Sequence, residues 1–184
     1  MSEGKFYRHD TVYVVSDHIE HSGLDAQKVP EFMRSLIAFA NAEDAINDLI
    51  KAAIINFYIA FLHPHFNRNG RIARLVHLWF LIQKGYQSAL FIQFSSRIEK
   101  GRKAYYDAYT LIEENRKLSD KIDVTPFILY FINNVHNKMN EGYAAETSIV
   151  YNDAVRQARI FCKATRKRFR GRRLCNDKGF CFKV

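Results

Sequence analysis

The sequence predicts a nearly all-α domain with one small β element. The chain has 184 residues, 48% of them hydrophobic and 26% charged, which suits a single domain with a sizeable core. The clearest helical pattern runs through residues 46–61, where apolar side chains recur at helical spacing. The clearest strand pattern is DTVYVVS at residues 10–16, which is rich in Thr, Val and Tyr.

The elements before residue 45 are short. Residues 10–16 predict one strand, half of a hairpin, and the polar residues 17–29 predict a loop. Pro30 suits the first turn of a helix, because a proline there removes no intrahelical hydrogen bond. That helix should extend to about Asn41.

Two helices flank a polar loop in the middle of the chain. The helix over residues 46–62 is apolar on most of its faces, which predicts burial, and Pro64 should stop it. A second helix should begin near Asn69–Gly70 and end at Gly85, with Trp79 in the core. Further helices fit residues 97–116, 124–140 and 143–164.

Charge and cysteine content divide the chain in two. Residues 151–184 carry 11 Lys and Arg against two Asp, so this segment accounts for the whole net charge of +9, and it holds all three cysteines. We therefore assign residues 1–150 to one neutral domain and residues 151–184 to a basic helix end and tail. The tail suits nucleic acid or an acidic partner, and a solvated helix end with a disordered extension explains the same composition.

Several protein classes are disfavoured by composition. No apolar run reaches the roughly 18 residues of a membrane span, and the N-terminus lacks the apolar core of a signal peptide. We therefore expect a cytoplasmic protein with no membrane partner. The cysteines show no C-x-x-C spacing, so a zinc site has no support.

The strongest chemical signal is the segment HPHFNRNGRIAR, from His63 to Arg74. The second helix starts inside it, so its first amides lack intrahelical acceptors and form, with the helix dipole, an anion site. Arg71 and Arg74 share one helix face and suit a polyphosphate. His63 lies across the loop, and histidine is the usual general base near neutral pH. The combination predicts nucleotidyl or phosphoryl transfer.

This segment resembles the Fic motif, H-P-F-x-D/E-G-N-G-R-x-x-R. GKFYRHDTVYVV resembles the family's Gly-x-aromatic-Arg entry and β-flap, and RIEKGRKAYYDAY resembles its later helix with a Tyr pair. The resemblance covers residues 4–140 and implies an all-α Fic-domain helical bundle with a short β-hairpin flap. The motif positions that match are His63, Pro64, Asn69, Gly70, Arg71 and Arg74.

The resemblance implies a protein adenylyltransferase, which moves AMP from ATP to a Ser, Thr or Tyr hydroxyl of a target protein. His63 would take the proton of that hydroxyl. A strand-pairing flap would align the target, and the implied flap residues are Thr11, Val12, Tyr13, Val14 and Val15. The implied nucleotide-binding residues are Arg68, Asn69, Gly70, Arg71, Arg74, Tyr105 and Tyr106.

Three positions depart from the motif. Asn67 stands where an acidic residue binds Mg²⁺, and a neutral amide should hold that ion only weakly. Arg68 stands where the family has Gly, at a cost on the order of 1 kcal/mol if the position needs a positive φ. His65 takes the aromatic position, so Phe66 should anchor the loop to the core. We therefore expect slow transfer or none.

Two alternative functions fit the same residues. One is a related phosphotransferase. The other is a catalytically silent module that binds a protein strand through the flap and nucleic acid through the basic tail. Tyr105 and Tyr106 suit helix packing as well as nucleotide contact. Residues 110–115, TLIEEN, fit the letters of the family's inhibitory helix, but they follow the Tyr pair and chance explains the match.

Overall fold

The computed structural model describes residues 6–16, 19–91, 93–119 and 121–137, five helical residues between 154 and 160, and residues 174–175 and 181–182. The fold is helical, as predicted, and a π-helical turn over Phe131–His136 continues the sixth helix. The helices are α1 Val29–Asn41, α2 Asp48–Leu62, α3 Asn69–Gln83, α4 Phe94–Lys100, α5 Arg102–Ser119 and α6 Thr125–Tyr130.

A two-stranded element precedes the helices. Strand β1, Tyr13–Ser16, pairs antiparallel with β2, Ile19–Ser22, with Tyr13 opposite Ser22. The expected loop over residues 17–29 is therefore wrong in part, because it contains β2 and a 3₁₀ turn at Ala26–Lys28. The sequence of β2, IEHS, holds one apolar residue and lacks the alternation that marks a half-buried strand.

Helix α2 forms the centre of the core. All of its residues except Asp48 and Ala60 are buried, which confirms the burial predicted from its apolar faces. Its first turn is capped by the side chain of Asn47, which accepts a hydrogen bond from the N–H of Leu49. Lys51 is buried too, and its Nζ donates to the Ala42 carbonyl at 2.6 Å and to Asp44 at 3.0 Å.

Helix α3 packs along α2 but keeps one face open. Ala73, His77 and Phe80 are buried on the side towards the core. Leu75 and Trp79 lie one turn apart and are 65% and 57% exposed, so the placement of Trp79 in the core is wrong. Apolar residues occur around more of the circumference of α3 than is buried against the core. Gly85 follows the helix at a φ of 88°, as expected of its C-terminal stop.

The helix expected over residues 97–116 is two helices, α4 and α5, which meet at Gly101. A Cβ at Gly101 would lie 3.2 Å from the hydroxyl oxygen of Tyr130. The glycine therefore permits a close approach between this junction and α6. The helix expected over residues 124–140 is confirmed through residue 136 as α6 and its π-helical turn.

The helical body extends beyond residue 150. The amide of Asn47 donates to the carbonyl of Ala154 at 3.2 Å, and Ala154 and Ala158 pack in the core. In the tail, β3, Leu174–Cys175, pairs with β4, Cys181–Phe182. The rest of the predicted 143–164 helix and of the basic tail lies outside the described residues. No helix among the described residues combines the length and apolar character of a membrane-crossing segment.

Candidate active site

The loop between α2 and α3 is bounded by two strained residues. His63 caps the C-terminus of α2 at a φ of 47°, and Arg68 caps the N-terminus of α3 at a φ of 62°. They are the only non-glycine residues with positive φ in the described part of the chain. This conformation costs about 1–2 kcal/mol for an L-residue, and such strain concentrates at functional sites. The positive φ suspected at Arg68 is thereby observed.

The His63 ring is fixed by its own helix. Its Nδ1 lies 2.5 Å from the carbonyl oxygen of Ala60. A carbonyl only accepts, so Nδ1 must carry the proton and donate it. Nε2 is then the basic nitrogen of the neutral ring, as a general base requires.

Arg8 fastens the loop to the N-terminal segment. Its side chain is 3% exposed. Its Nε donates to the carbonyl of His63 at 2.7 Å and its Nη1 to that of Asp10 at 2.7 Å, while Nη2 donates to the carbonyls of Leu24 and Leu62. The positive charge thus lies against the C-terminal end of α2, where the helix dipole favours a cation.

The base of the β element packs against the same guanidinium. The N–H of Gly23 donates to the carbonyl of Val12 at 2.8 Å. A Cβ at Gly23 would lie 2.9 Å from Val12 Cγ2 and 3.1 Å from Arg8 Nη2, so only glycine fits without a shift. Arg8 therefore connects the β element to the loop that carries His63.

The side chain of Asn69 holds the backbone of the loop at His65. Its side chain is buried, with Oδ1 accepting from the N–H of His65 at 3.0 Å and Nδ2 donating to the carbonyl of His65 at 2.7 Å. We call Arg8 and Asn69, with the backbone groups that they bond, the rear network. Sequence reasoning placed Asn69 among the phosphate ligands and did not foresee this role for its side chain.

The N-terminus of α3 offers backbone donors. The first intrahelical bond runs from the N–H of Arg71 to the carbonyl of Arg68, at 2.9 Å. The amides of Asn69 and Gly70 precede it and point out of the first turn. A Cβ at Gly70 would lie 3.7 Å from Nη1 of Arg74, so the Arg74 side chain folds back over this turn.

Three arginines lie at the start of α3, one at its N-cap and two in its first two turns. Arg68 and Arg71 are exposed and Arg74 is half-buried. Among the described residues, the ion pairs join other groups, and none includes these three side chains. We call Arg68, Arg71 and Arg74 the arginine face. Its positive charge is not neutralised by a described carboxylate, so it can take an anion.

The Tyr pair lies close to the arginine face. Burial raises the pKa of Tyr105, while a hydrogen bond with Tyr109 and the positive charge of Arg74 oppose that rise. The hydroxyls of Tyr105 and Tyr109 are 3.3 Å apart. Tyr105 also packs against Phe127 at 5.7 Å between ring centroids, so it belongs to the aromatic core as well as to the surroundings of Arg74. Tyr106 is partly buried beside it.

Phe66 does not anchor the loop to the core. Its side chain is 53% exposed, and its ring meets the edge of His9 at 5.1 Å. The ring of His65 lies 6.2 Å from that of Tyr7. The loop is held by the hydrogen bonds of the rear network, which occupy its backbone and leave Phe66 outside.

A magnesium ion does not fit the donor atoms of this loop. Asn67 is exposed and neutral, and neither loop nor first helical turn carries a carboxylate. Among the described residues, no three His, Cys, Asp or Glu side chains are grouped as metal ligands. Mg²⁺ prefers charged oxygen ligands, and the neighbouring arginines would repel it.

The expected flap residues follow Asp10, whose carbonyl accepts from the same Arg8 that bonds the carbonyl of His63. The N–H of Thr11 bonds the carboxylate of Asp10 at 2.7 Å, and Tyr13 is exposed. Val14 and Val15 belong to β1. Their part in target docking stays a prediction.

Comparison with known proteins identifies the fold. Residues 1–81 match the model of the Fic/DOC family. A crystal structure of a Fic family protein from Desulfovibrio desulfuricans G20 is similar, with a TM-score of 0.59 and 20% sequence identity, covering 93% of this chain and 48% of that one. The chain thus spans about half the length of that structure, and the likeness supports the helical fold inferred from the motif.

Proposed function

We propose that this chain, whose residues 1–81 match the Fic/DOC family model, transfers AMP from ATP to a Ser, Thr or Tyr hydroxyl of a target protein. One observation carries the proposal. A histidine with a fixed tautomer stands at one end of the loop, and at the other end stands an arginine face that no carboxylate of the described residues pairs with. General base and anion site are what this transfer requires.

The proposed reaction is a displacement at the α-phosphorus of ATP. The acceptor oxygen attacks, a new O–P bond forms, and the bond from the α-phosphorus to the bridging oxygen breaks. Nε2 of His63 takes the hydroxyl proton. Pyrophosphate leaves with the electron pair, and Arg71 and Arg74 bind its charge. The amides of Asn69 and Gly70 hold phosphate oxygens at the start of α3.

The target would reach His63 along β1. In the described residues β1 pairs with β2 alone, so its second edge can accept an extended segment. Arg8 supports this alignment, because it bonds both the His63 carbonyl and the Leu24 carbonyl behind β2. Arg8 therefore fixes the position of β1 and β2 relative to His63.

A related phosphotransferase is the second candidate, and Asn67 with Arg68 favours it. Asn67 and Arg68 replace an acidic residue and a glycine where the phosphates would lie. This replacement affects whether the acceptor attacks the α- or the γ-phosphorus. A silent binding module is the third, since slow chemistry leaves the anion site intact. All three candidates bind phosphate. The first two differ in whether the α- or the γ-phosphorus is attacked, and the silent module transfers neither group.

ATP labelled at either the α- or the γ-phosphate separates these candidates. The purified protein, with and without cell extract as a source of acceptors, should take up the α label and gain the mass of one AMP group. Uptake of the γ label alone would indicate phosphotransfer, and ATP binding without label would indicate the silent module. His63→Ala should abolish labelling, whereas His9→Ala, which removes an exposed histidine beside Phe66, should not.

Phosphate binding can be measured without turnover. Arg74→Ala should weaken ATP binding about tenfold in calorimetric titration, because a charged hydrogen bond contributes about 1.5–3 kcal/mol. Arg34→Ala, on the exposed surface of α1, is the matched control. Unchanged affinity in Arg74→Ala would contradict the assignment of Arg74 to the phosphates.

A further inference from the structure

We infer that this site binds the phosphates of its nucleotide without a divalent cation, with Arg68 supplying positive charge that a metal would otherwise bring. The inference rests on the proposed function, since it concerns the phosphates of the same site. It assigns a charge-neutralising role to Arg68 and a preference for the metal-free form of the nucleotide.

The first support is the absence of acidic residues around the site in the sequence. No Asp or Glu occurs between Asp48 and Glu99, a stretch that contains nearly all of α2, the loop, α3 and most of α4. Asp10 lies outside this stretch, on the segment that Arg8 binds, and its carboxylate accepts a hydrogen bond from the N–H of Thr11. A cation at the phosphates would therefore find neutral Asn67 and no anionic ligand from this stretch.

The second support is the backbone at Arg68. Its φ of 62° is a conformation that glycine adopts freely and arginine adopts at a cost of about 1–2 kcal/mol. The carbonyl of Arg68 caps α3 by accepting from Arg71 and Ile72, and any residue could provide that carbonyl. The side chain is the part specific to arginine, and it is exposed on the residue that caps the N-terminus of α3.

The third support is the balance of charge. Arg68, Arg71 and Arg74 bring three positive charges to one helix N-terminus, whose dipole adds to them. The metal-free nucleotide carries more negative charge than its Mg²⁺ complex. The arginine face attracts the metal-free nucleotide more strongly than the Mg²⁺ complex, because it repels the bound cation. The same charges would stabilise the pyrophosphate as it leaves.

The test compares ATP binding in EDTA and in Mg²⁺ by calorimetric titration. The wild-type protein should bind ATP in EDTA as tightly as in Mg²⁺, or up to about tenfold more tightly. The double variant Asn67→Asp/Arg68→Gly restores a carboxylate and removes a positive charge. It should reverse the order and bind about tenfold more tightly in Mg²⁺. Arg34→Ala should keep the wild-type order, because it removes an arginine distant in sequence from the loop.

The outcomes are distinct. Wild-type affinity that rises about tenfold on adding Mg²⁺ would overturn the inference and leave the proposed function standing. A double variant that still prefers metal-free ATP would overturn the role given to Asn67 and Arg68. Absence of ATP binding in both buffers, with folding verified by circular dichroism, would overturn the proposed function and the inference together.

Discussion

The rear network and the arginine face use the same side chain in opposite ways. Arg8 is buried, and its donors are bonded to four backbone carbonyls from three segments of the chain. Arg68, Arg71 and Arg74 lie at the end of the loop where α3 begins, without ion pairs among the described residues. The rear network holds the loop in place, and the arginine face presents positive charge to a ligand.

This difference shows that the partners of an arginine decide its role. Carbonyl acceptors satisfy a guanidinium without cancelling its charge, so Arg8 can stabilise the C-terminal end of α2. An arginine without a carboxylate partner keeps its charge available for a ligand. Substitutions in the rear network should therefore reduce stability, and those in the arginine face should reduce binding.

The largest effect should follow Arg8→Ala. It removes the N–H donors that Nε, Nη1 and Nη2 supply to four backbone carbonyls. A buried unsatisfied polar group costs about 1–3 kcal/mol. We expect the free energy of unfolding to fall by about 3–4 kcal/mol in urea titration followed by circular dichroism. Arg34→Ala should change it by less than about 0.5 kcal/mol. Equal effects of the two variants would remove the distinction between Arg8 and a surface arginine.

Acid should destabilise the buried interior around His77. His77 lies on the buried side of α3, with Nδ1 3.0 Å from the carbonyl of Ala52, and burial lowers its pKa to about 4. The unfolded chain binds this proton near pH 6.5, so between pH 6.5 and 4 the unfolded state is favoured as the pH falls. The free energy of unfolding should drop by about 3 kcal/mol over that window.

The control for this pH dependence is His77→Phe, which removes the titrating ring. Its neighbour His136 stacks at 5.3 Å, and burial together with His77 holds the pKa of His136 well below its usual range. The variant should therefore keep part of the acid sensitivity and lose the share due to His77. Urea titrations at pH 7, 5.5 and 4.5 would measure this, and parallel curves for the two proteins would contradict it.

The sequence predicted the helices better than their environments. The apolar stripe of α2 and the glycine after α3 determine those elements locally, so their bounds could be inferred. Strand β2 depends on pairing with β1, and the exposure of Trp79 depends on which face of α3 meets α2. Both are consequences of tertiary packing that periodicity alone does not contain.

A smaller effect separates two asparagines within the loop region. Asn69→Ala removes both hydrogen bonds that hold the backbone of His65, and it should lower the free energy of unfolding by about 2 kcal/mol. Asn67→Ala removes an exposed side chain and should change it by less than about 0.5 kcal/mol. Chemical denaturation of the two variants side by side checks this. Matching losses would mean that Asn69 does not hold the loop through its side chain.

The sequence predicted which residues belong to the candidate site, but not the hydrogen bonds that hold its loop in place. The motif placed His63, Arg71 and Arg74 near one another, because a loop and a helix turn are local. The bond from Arg8 to the carbonyl of His63 joins residues 55 apart in sequence, and no spacing rule foretells it. Phe66 was assigned as the anchor because apolar residues usually fill that role, but the backbone bonds of Asn69 and Arg8 already fix the loop.

The smallest effect tests whether the left-handed turn at Arg68 is a local cost. Arg68→Gly relieves the strain of a positive φ, and it should leave stability unchanged or raise it by up to about 1 kcal/mol. Arg71→Gly makes the same replacement within the first turn of α3, where helical backbone disfavours glycine, and it should lower stability by about 0.5–1 kcal/mol. Both variants lose one positive charge from the arginine face, so ATP binding should weaken in each while their stabilities move apart. Thermal denaturation followed by circular dichroism measures the difference. A melting temperature that falls equally in both variants would show that Arg68 is not strained. The strained backbone would then give no support for a charge-neutralising role of the Arg68 side chain.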